Sequence, residues 1–273
     1  MSFIKGPAAP AYVGLPMPLT SFWSCARAYN AAWLAAGAQA MIVRRASDNA
    51  IMTALYQTSG AAAGELDAAP VSAWAGGSNL FVQQAYDSAG GGNHVLQATT
   101  ANQPQLFLTG GPNNKPYIEV ANNINGKLIN VSGPNGVSPT SLMCVGNRTA
   151  GVEAVIFAGT SGNRIAGSNT TTRINNVGSG GGNVQATTNA SNGAWHSIQA
   201  SNTNGGTAVI RSSGTRFTGT GVTYGTTNLD EFCSGRSAST IQMCEGGYIL
   251  GTQWSAADET SSYNDQLTFY GSV

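Results

Sequence analysis

Twelve carboxylates, two histidines and four cysteines are the first side chains of this 273-residue chain to weigh for moving protons, attacking a substrate or holding a metal. Glycoside cleavage would need two of the carboxyl groups facing each other across the bond, about 5 Å apart for retention and further apart for inversion. The candidates are Asp48, Glu65, Asp67, Asp87, Glu119, Glu153, Asp230, Glu231, Glu245, Asp258, Glu259 and Asp265. Several have a structural role on local grounds. Asp67 stands where it would cap a helix, Asp258 and Glu259 stand in a first helical turn that favours negative charge, and Asp48 suits a turn. His94 and His196 have no matching Ser or Cys motif, so no triad is legible. His94 reads as a turn or interface residue; beside Trp195 in a strand, His196 or its neighbour should face the core. Cys25, Cys144, Cys233 and Cys244 are too sparse for a disulfide scaffold and read as reduced thiols, with a Cys233–Cys244 bridge as the alternative. No C-x-x-C pair supports zinc and no D-x-D-x-D-G pattern supports calcium, so neither metal nor cofactor is expected.

Asp87 lies in Tyr86-Asp87-Ser88, just before Gly90-Gly91-Gly92-Asn93. Its carboxylate is expected to accept backbone N–H groups of that glycine turn, together with Asn93. The rival reading of Asp87 and Asn93 is contact with a sugar, or Ca²⁺ ligation by Asp87. Trp74, Tyr224 and Trp254 are loop-adjacent aromatics that could stack on sugar faces, although a place in the core is the simpler reading of each. The glycine-rich stretches are not P-loops, because neither leads into a helix carrying the required Lys and Ser/Thr.

Only 9% of residues are charged, 12 basic against 12 acidic, which removes the field that would draw in nucleic acid or an anionic membrane. No apolar run approaches the ~18 residues of a spanning helix, so membrane insertion is not expected. Thirty-six glycines, with abundant Ser, Thr and Asn, point to a loop-rich β-protein, while 41% hydrophobic residues and five Trp oppose disorder. Residues 1–20 carry prolines at 7, 10, 16 and 18 and read as an extended N-terminal arm lying on its own domain or, the preferred reading, on a neighbouring subunit. The first residues lack a secretory pattern, which suits a protein made and used without export.

Residues 21–273 read as one domain. Thr20 or Ser21 is expected to cap a helix carrying Phe22, Cys25, Ala26, Tyr29, Ala32 and Trp33 and stopped by Gly37. Strands are expected over 38–46 and 50–56, and a short helix over 67–75 capped by Asp67. Further short strands are expected at 117–120, 127–131, 141–145, 154–158, 164–166, 173–177, 195–201, 207–212, 221–224, 241–245 and 248–252. Ser255 with Asp258 and Glu259 opens like a capping box, giving a last short helix before a closing strand over 267–270.

The stretch from Phe81 to Leu106, an apolar strand, a glycine turn and a second strand ending at Pro104, resembles a segment of concanavalin A-like (laminin G-like) β-sandwiches. That group includes the catalytic domain of family-54 α-L-arabinofuranosidases and phage virion proteins. Ala26-Arg27-Ala28-Tyr29, residues 40–50, Trp195 to Ala200 and Gly246 to Gly251 are similar to further segments in the same order. The resemblance implies an antiparallel jelly-roll sandwich with a few short helices. It also implies that the arabinofuranosidase nucleophile would fall near 173–182, which has no carboxylate, and the acid/base near 234–238, where Arg236 cannot deliver a proton. The expectation is a non-enzymatic bacteriophage virion protein, a capsid decoration or tail component assembled in the host cytoplasm. Its partners would be other virion subunits in a homo-oligomer and possible host surface polysaccharide, without nucleic acid. The rival is a glycoside hydrolase or depolymerase with carboxylates placed differently, Asp87, Glu153 and Glu245 being the first to test.

Overall fold

The computed structural model describes residues 15–121, 126–129, 140–150, 154–158, 164–167, 174–177, 183–186, 193–202, 207–220, 231–234 and 240–273. Its strands are β1 (Ser21–Ser24), β2 (Gln39–Arg45), β3 (Ile51–Leu55), β4 (Leu80–Ala85), β5 (Val95–Leu96), β6 (Gln105–Phe107), β7 (Tyr117–Val120), β8 (Leu128–Ile129) and β9 (Thr140–Ala150). They continue as β10 (Ala154–Ala158), β11 (Arg164–Gly167), β12 (Ile174–Val177), β13 (Asn183–Ala186), β14 (Trp195–Asn202), β15 (Thr207–Ser212), β16 (Thr215–Thr220), β17 (Glu231–Ser234) and β18 (Thr240–Leu250). Three helices accompany them: α1 (Ala31–Ala35), α2 (Ala68–Ala75) and α3 (Ala256–Tyr270).

All the pairings are antiparallel, and they form two layers of a β-sandwich. One runs β16-β15-β14-β9-β18, with β18 shared by β1 along one half and β7 along the other. The other runs β3-β2-β4-β5-β8-β17-β10-β11-β12-β13. β6 bridges them by pairing with both β4 and β7. Between the layers lies one apolar core, with Trp23, Leu142, Ile198, Ile210, Met243 and Tyr248 from the first and Met41, Val43, Val82, Val95, Leu128 and Phe232 from the second. Period-2 alternation sends the neighbours of the first set to the opposite face of their layer, where α3 covers Ser197 and Gln199, and a bulge at Cys244 brings Glu245 to the same face.

The segment expected to start a helix at Thr20 or Ser21 is instead β1. Phe22 and Trp23 point to opposite faces, Phe22 joining Tyr29, Met143 and Trp254, and Trp23 the main core. The edge of β18 offers this segment a ladder, and burying Phe22 and Trp23 on a strand outweighs the helical spacing of Phe22, Cys25, Ala26 and Tyr29. A helix begins only at α1, where the Asn30 side chain accepts from the Trp33 N–H at 2.9 Å. Asp67 occupies the N-cap of α2 but makes no side-chain capping bond.

The two strands expected over 241–252 are one, β18. It crosses Gly246-Gly247 unbroken because β1 and β9 flank it on both sides. Nor is there a closing strand over 267–270. Glu259, Ser262, Gln266 and Tyr270 recur at helical spacing and are all buried, so α3 runs through to Tyr270. Its start carries the capping box, with Ser255 and Asp258 reciprocally bonded.

Of the arm, residues 15–20 lie against this chain's own sandwich; residues 1–14 are outside the described residues. Leu15 N–H donates to the Tyr29 carbonyl, Leu19 N–H to the Tyr29 hydroxyl at 2.8 Å, and that hydroxyl donates to the Met17 carbonyl at 2.6 Å. Gly247 makes this seat possible, since a Cβ there would lie 2.8 Å from the Ser21 carbonyl oxygen and 2.9 Å from Leu19 Cδ1. Gly247→Ala is expected to lower stability by about 1–3 kcal/mol, measured by urea unfolding, because the clash is with ladder backbone that cannot yield cheaply.

Candidate functional site

On the outer face of the first layer, beyond the end of α3, registers align one side chain from each of five strands. Gln105 of β6 lies opposite Glu119 of β7, Glu119 opposite Gln242 of β18, Gln242 opposite Asn147 of β9, and Asn147 opposite Trp195 of β14. Leu106, Ile118, Val120, Ile241 and Met243 alternate with these residues and fill the core, which is why the row faces outward. Gln242 Nε2 donates to Glu119 Oε2 at 2.7 Å, and Asn147 Nδ2 donates to Gln242 Oε1 at 2.9 Å. Asn147 is 5% exposed, and its Oδ1 is buried without a hydrogen-bond partner.

Aromatic rings roof the row. Phe107 and Tyr117 stack with centroids 4.7 Å apart and planes 5° from parallel, and Tyr117 meets Trp195 edge-on at 5.6 Å. Tyr117 and Trp195 stand on strands three ladder steps apart, roughly 14 Å at the usual strand spacing. Rings on those strands touch only if both lean inward, so they arch over β18 and β9, against Cys244 and Val145. Phe107, Tyr117 and Trp195 remain partly exposed. Burial first, and then the Glu119 charge, hold the Tyr117 phenol above the ordinary tyrosine range, so its hydroxyl stays protonated. The surface thus combines aromatic rings with a carboxylate and three amides.

The residues singled out from sequence lie elsewhere. Asp87 is fully buried; Oδ1 accepts from the N–H groups of Phe22 at 2.9 Å and Ala89 at 3.1 Å, and Oδ2 from that of Asn93 at 3.1 Å. The Asp87 N–H in turn donates to His94 Nδ1. Asn93 is drawn into the same junction, its amide donating to Ser21 Oγ and its carbonyl accepting from the Trp23 indole. Trp74 is half-buried on α2, with the Arg45 guanidinium 4.8 Å from its ring centroid. Trp254 is 4% exposed and packs with Met17, Phe22, Tyr29 and Met143. Tyr224, Glu153, Arg236 and most of 173–182 lie outside the described residues. His196 is the inward member of its pair, buried and within 3.1 Å of Ser213 Oγ, while Trp195 faces out.

Glu245 is fully buried beneath α3. The Arg27 Nε and Nη2 donate to its two oxygens at 2.8 and 2.9 Å, Gln266 Nε2 adds 3.0 Å and the Tyr270 hydroxyl 2.7 Å. Its oxygens are fully engaged inside the protein, which suits helix docking and not proton transfer to a substrate. The four cysteines are free and buried, and burial pushes their thiols upward, away from nucleophilic thiolate. Among the described residues no group of three or more His, Cys, Asp or Glu could hold a metal ion.

Tyr117, Glu119, Asn147, Trp195 and Gln242 escape sequence reasoning as a group. Alternation in Tyr117-Ile118-Glu119-Val120 marks two of them as outward-facing, but the pairing that brings β7, β18, β9 and β14 together joins distant parts of the chain.

No protein-family description and no curated protein matches the sequence. Solved structures do match in fold. A family-54 α-L-arabinofuranosidase soaked with a cyclic sulfate inhibitor superposes with a TM-score of 0.62 at 14% identity, over 93% of this chain and 63% of that one. An arabinofuranosidase complexed with arabinofuranosyl-α-1,2-xylobiose gives 0.63 at 15% identity with the same coverage. The binding domain of Paraclostridial mosquitocidal protein 1 gives 0.51 at 13% identity, over 68% of this chain and 52% of that one. The chain therefore spans less than two thirds of the length of the arabinofuranosidases it resembles, and at these identities the likeness establishes a shared antiparallel β-sandwich.

Proposed function

We propose that this protein is a non-hydrolytic, carbohydrate-contacting β-sandwich, and that the row from Glu119 to Trp195 is its sugar-facing surface. The observation that carries the reading is the coincidence, on one sheet face, of partly exposed ring faces with a carboxylate–amide chain ending in an unpartnered buried acceptor. Aromatic faces take up the apolar C–H faces of sugars, and amides and carboxylates meet their hydroxyls. The fold neighbours include an enzyme complexed with an arabinofuranosyl-xylobiose, which supports sugar contact as a use of this fold. A hydrolase is disfavoured by the engagement of Asp87 and Glu245 within the protein. Display of the sandwich on a bacteriophage particle, held to other subunits and turned toward host polysaccharide, is the setting that the sequence resemblance suggests.

One tube tests the reading. Purified protein is incubated with bacterial surface polysaccharide, and both released reducing ends and co-pelleted protein are measured. The expected result is pelleting without release, with Trp195→Ala weakening binding about tenfold, the effect of removing one central aromatic contact. Release of reducing ends, or pelleting untouched by Trp195→Ala, would refute it.

A further inference from the structure

We infer that the row selects sugars that donate hydrogen bonds and carry no negative charge, ranking amino sugars with a free ammonium group above neutral sugars and excluding acidic ones. This rests on the reading of the same row as a glycan site. The argument begins at Glu119, because an ionised carboxylate accepts and never donates. Gln242 must therefore turn Nε2 toward it, as the 2.7 Å contact shows. That leaves Gln242 Oε1 facing Asn147, which must answer with Nδ2, at 2.9 Å. The orientation of both amides is thus dictated by the carboxylate, and the chain ends on Asn147 Oδ1, an acceptor. Both ends of the relay offer acceptors.

Asn147 Oδ1 is buried and has no partner, so the ligand-free protein leaves a hydrogen-bonding group unused. The residue directly opposite Asn147 is Trp195, whose ring leans across β9 to reach Tyr117. A swing of that ring admits a ligand hydroxyl or ammonium to Oδ1. Among the described residues Glu119 forms no ion pair, and its charge faces the row two positions from Tyr117 on the same side of β7. An ammonium gains from that charge and can donate to either acceptor, whereas the carboxylate of a uronate meets a like charge and has no hydrogen to donate.

The test compares oligosaccharides of equal length, a chitosan oligomer with free amines, a cello-oligomer and an oligogalacturonate, by calorimetry on the full chain. At about pH 6 carboxylates are ionised. The chitosan oligomer is expected to bind about tenfold more tightly than the cello-oligomer at low salt, that margin shrinking as salt rises, with the oligogalacturonate not binding. Glu119→Gln is expected to erase the amine preference, bringing the chitosan and cello-oligomer affinities to within about threefold of each other, since glutamine can still accept from Gln242 but carries no charge. Should that variant not fold, the salt dependence on the unaltered protein decides alone. Equal binding of the acidic oligomer, or an amine preference that survives Glu119→Gln or high salt, overturns this inference and leaves the glycan site standing. Binding of none of the three overturns both.

Discussion

Glu245→Gln is expected to lower the unfolding free energy by about 3 kcal/mol, the low end of the usual penalty for breaking a buried ion pair, since Arg27 keeps Asp265 at 2.7 Å as a second partner. The Glu245 side chain has no exposed surface and that of Arg27 is 6% exposed, so neither charge can fall back on water. Glutamine keeps the shape but offers one acceptor and one amide where the guanidinium fork, Gln266 and Tyr270 all present donors. The bulge at Cys244 matters here, because it turns both Cys244 and Glu245 to the face that α3 covers. Urea unfolding gives the loss directly, and the double variant Arg27→Met, Glu245→Met is expected to recover part of it, since both charges of the pair leave together while Asp265 loses the guanidinium beside it. If the double variant is as unstable as the single one, shape and not charge is what the network supplies. Asp265 behaves differently. Burial holds its carboxyl above the ordinary aspartate range, although Arg27 lies 2.7 Å away and pulls the other way. The folded state therefore holds this proton more tightly than the unfolded chain does. Its contribution is fully present below the ordinary aspartate pKa and is lost as pH rises through the raised value. Asp265→Asn removes that slope.

Sequence reasoning reached those features that neighbours in the chain determine. Asp87 and the glycine turn lie within one short segment, as do Ser255 and Asp258, and their hydrogen bonds join residues two to six positions apart. The sandwich itself was legible because strand alternation and turn residues are also local signals. The helix expected from Phe22 onward does not form there, because the spacing of Phe22, Cys25, Ala26 and Tyr29 is a real pattern that the distant edge of β18 overrides. The missing break at Gly246-Gly247 has the same origin: two glycines signal a turn unless strands on both sides hold them extended. Arg27 and Glu245 stand 218 positions apart, and Glu119 and Gln242 stand 123 apart. No periodicity within either segment carries such a pairing, so both the helix-docking network and the outward row needed the folded chain to be seen.

The other large loss is expected at Asp87. Asp87→Ala strips the acceptor from three buried or half-buried backbone N–H groups at once, those of Phe22, Ala89 and Asn93. Each buried donor left unpaired costs about 1–3 kcal/mol, and since the three share one carboxylate their costs do not simply add; a net loss of about 3–5 kcal/mol follows. The consequence extends beyond the turn. The Phe22 N–H belongs to β1, whereas Ala89 and Asn93 belong to the loop between β4 and β5, so the carboxylate ties the edge of one layer to the other. Gly91 sits so close that a Cβ would lie 2.5 Å from the Thr20 carbonyl oxygen and 2.9 Å from Asp87 Oδ2, so the backbone of the loop packs directly against the carboxylate. Asp87→Asn distinguishes charge from geometry. Its remaining oxygen can serve two N–H groups on one side, but its amide must then face the donor on the other. It is expected to lose about 2–4 kcal/mol, with hydrogen exchange quickening first at Phe22 and Asn93. Exchange that stays slow at both positions in Asp87→Ala would show that the strand ladder to Tyr248 and Gly247 holds β1 unaided, and the carboxylate would then count as a local turn former only.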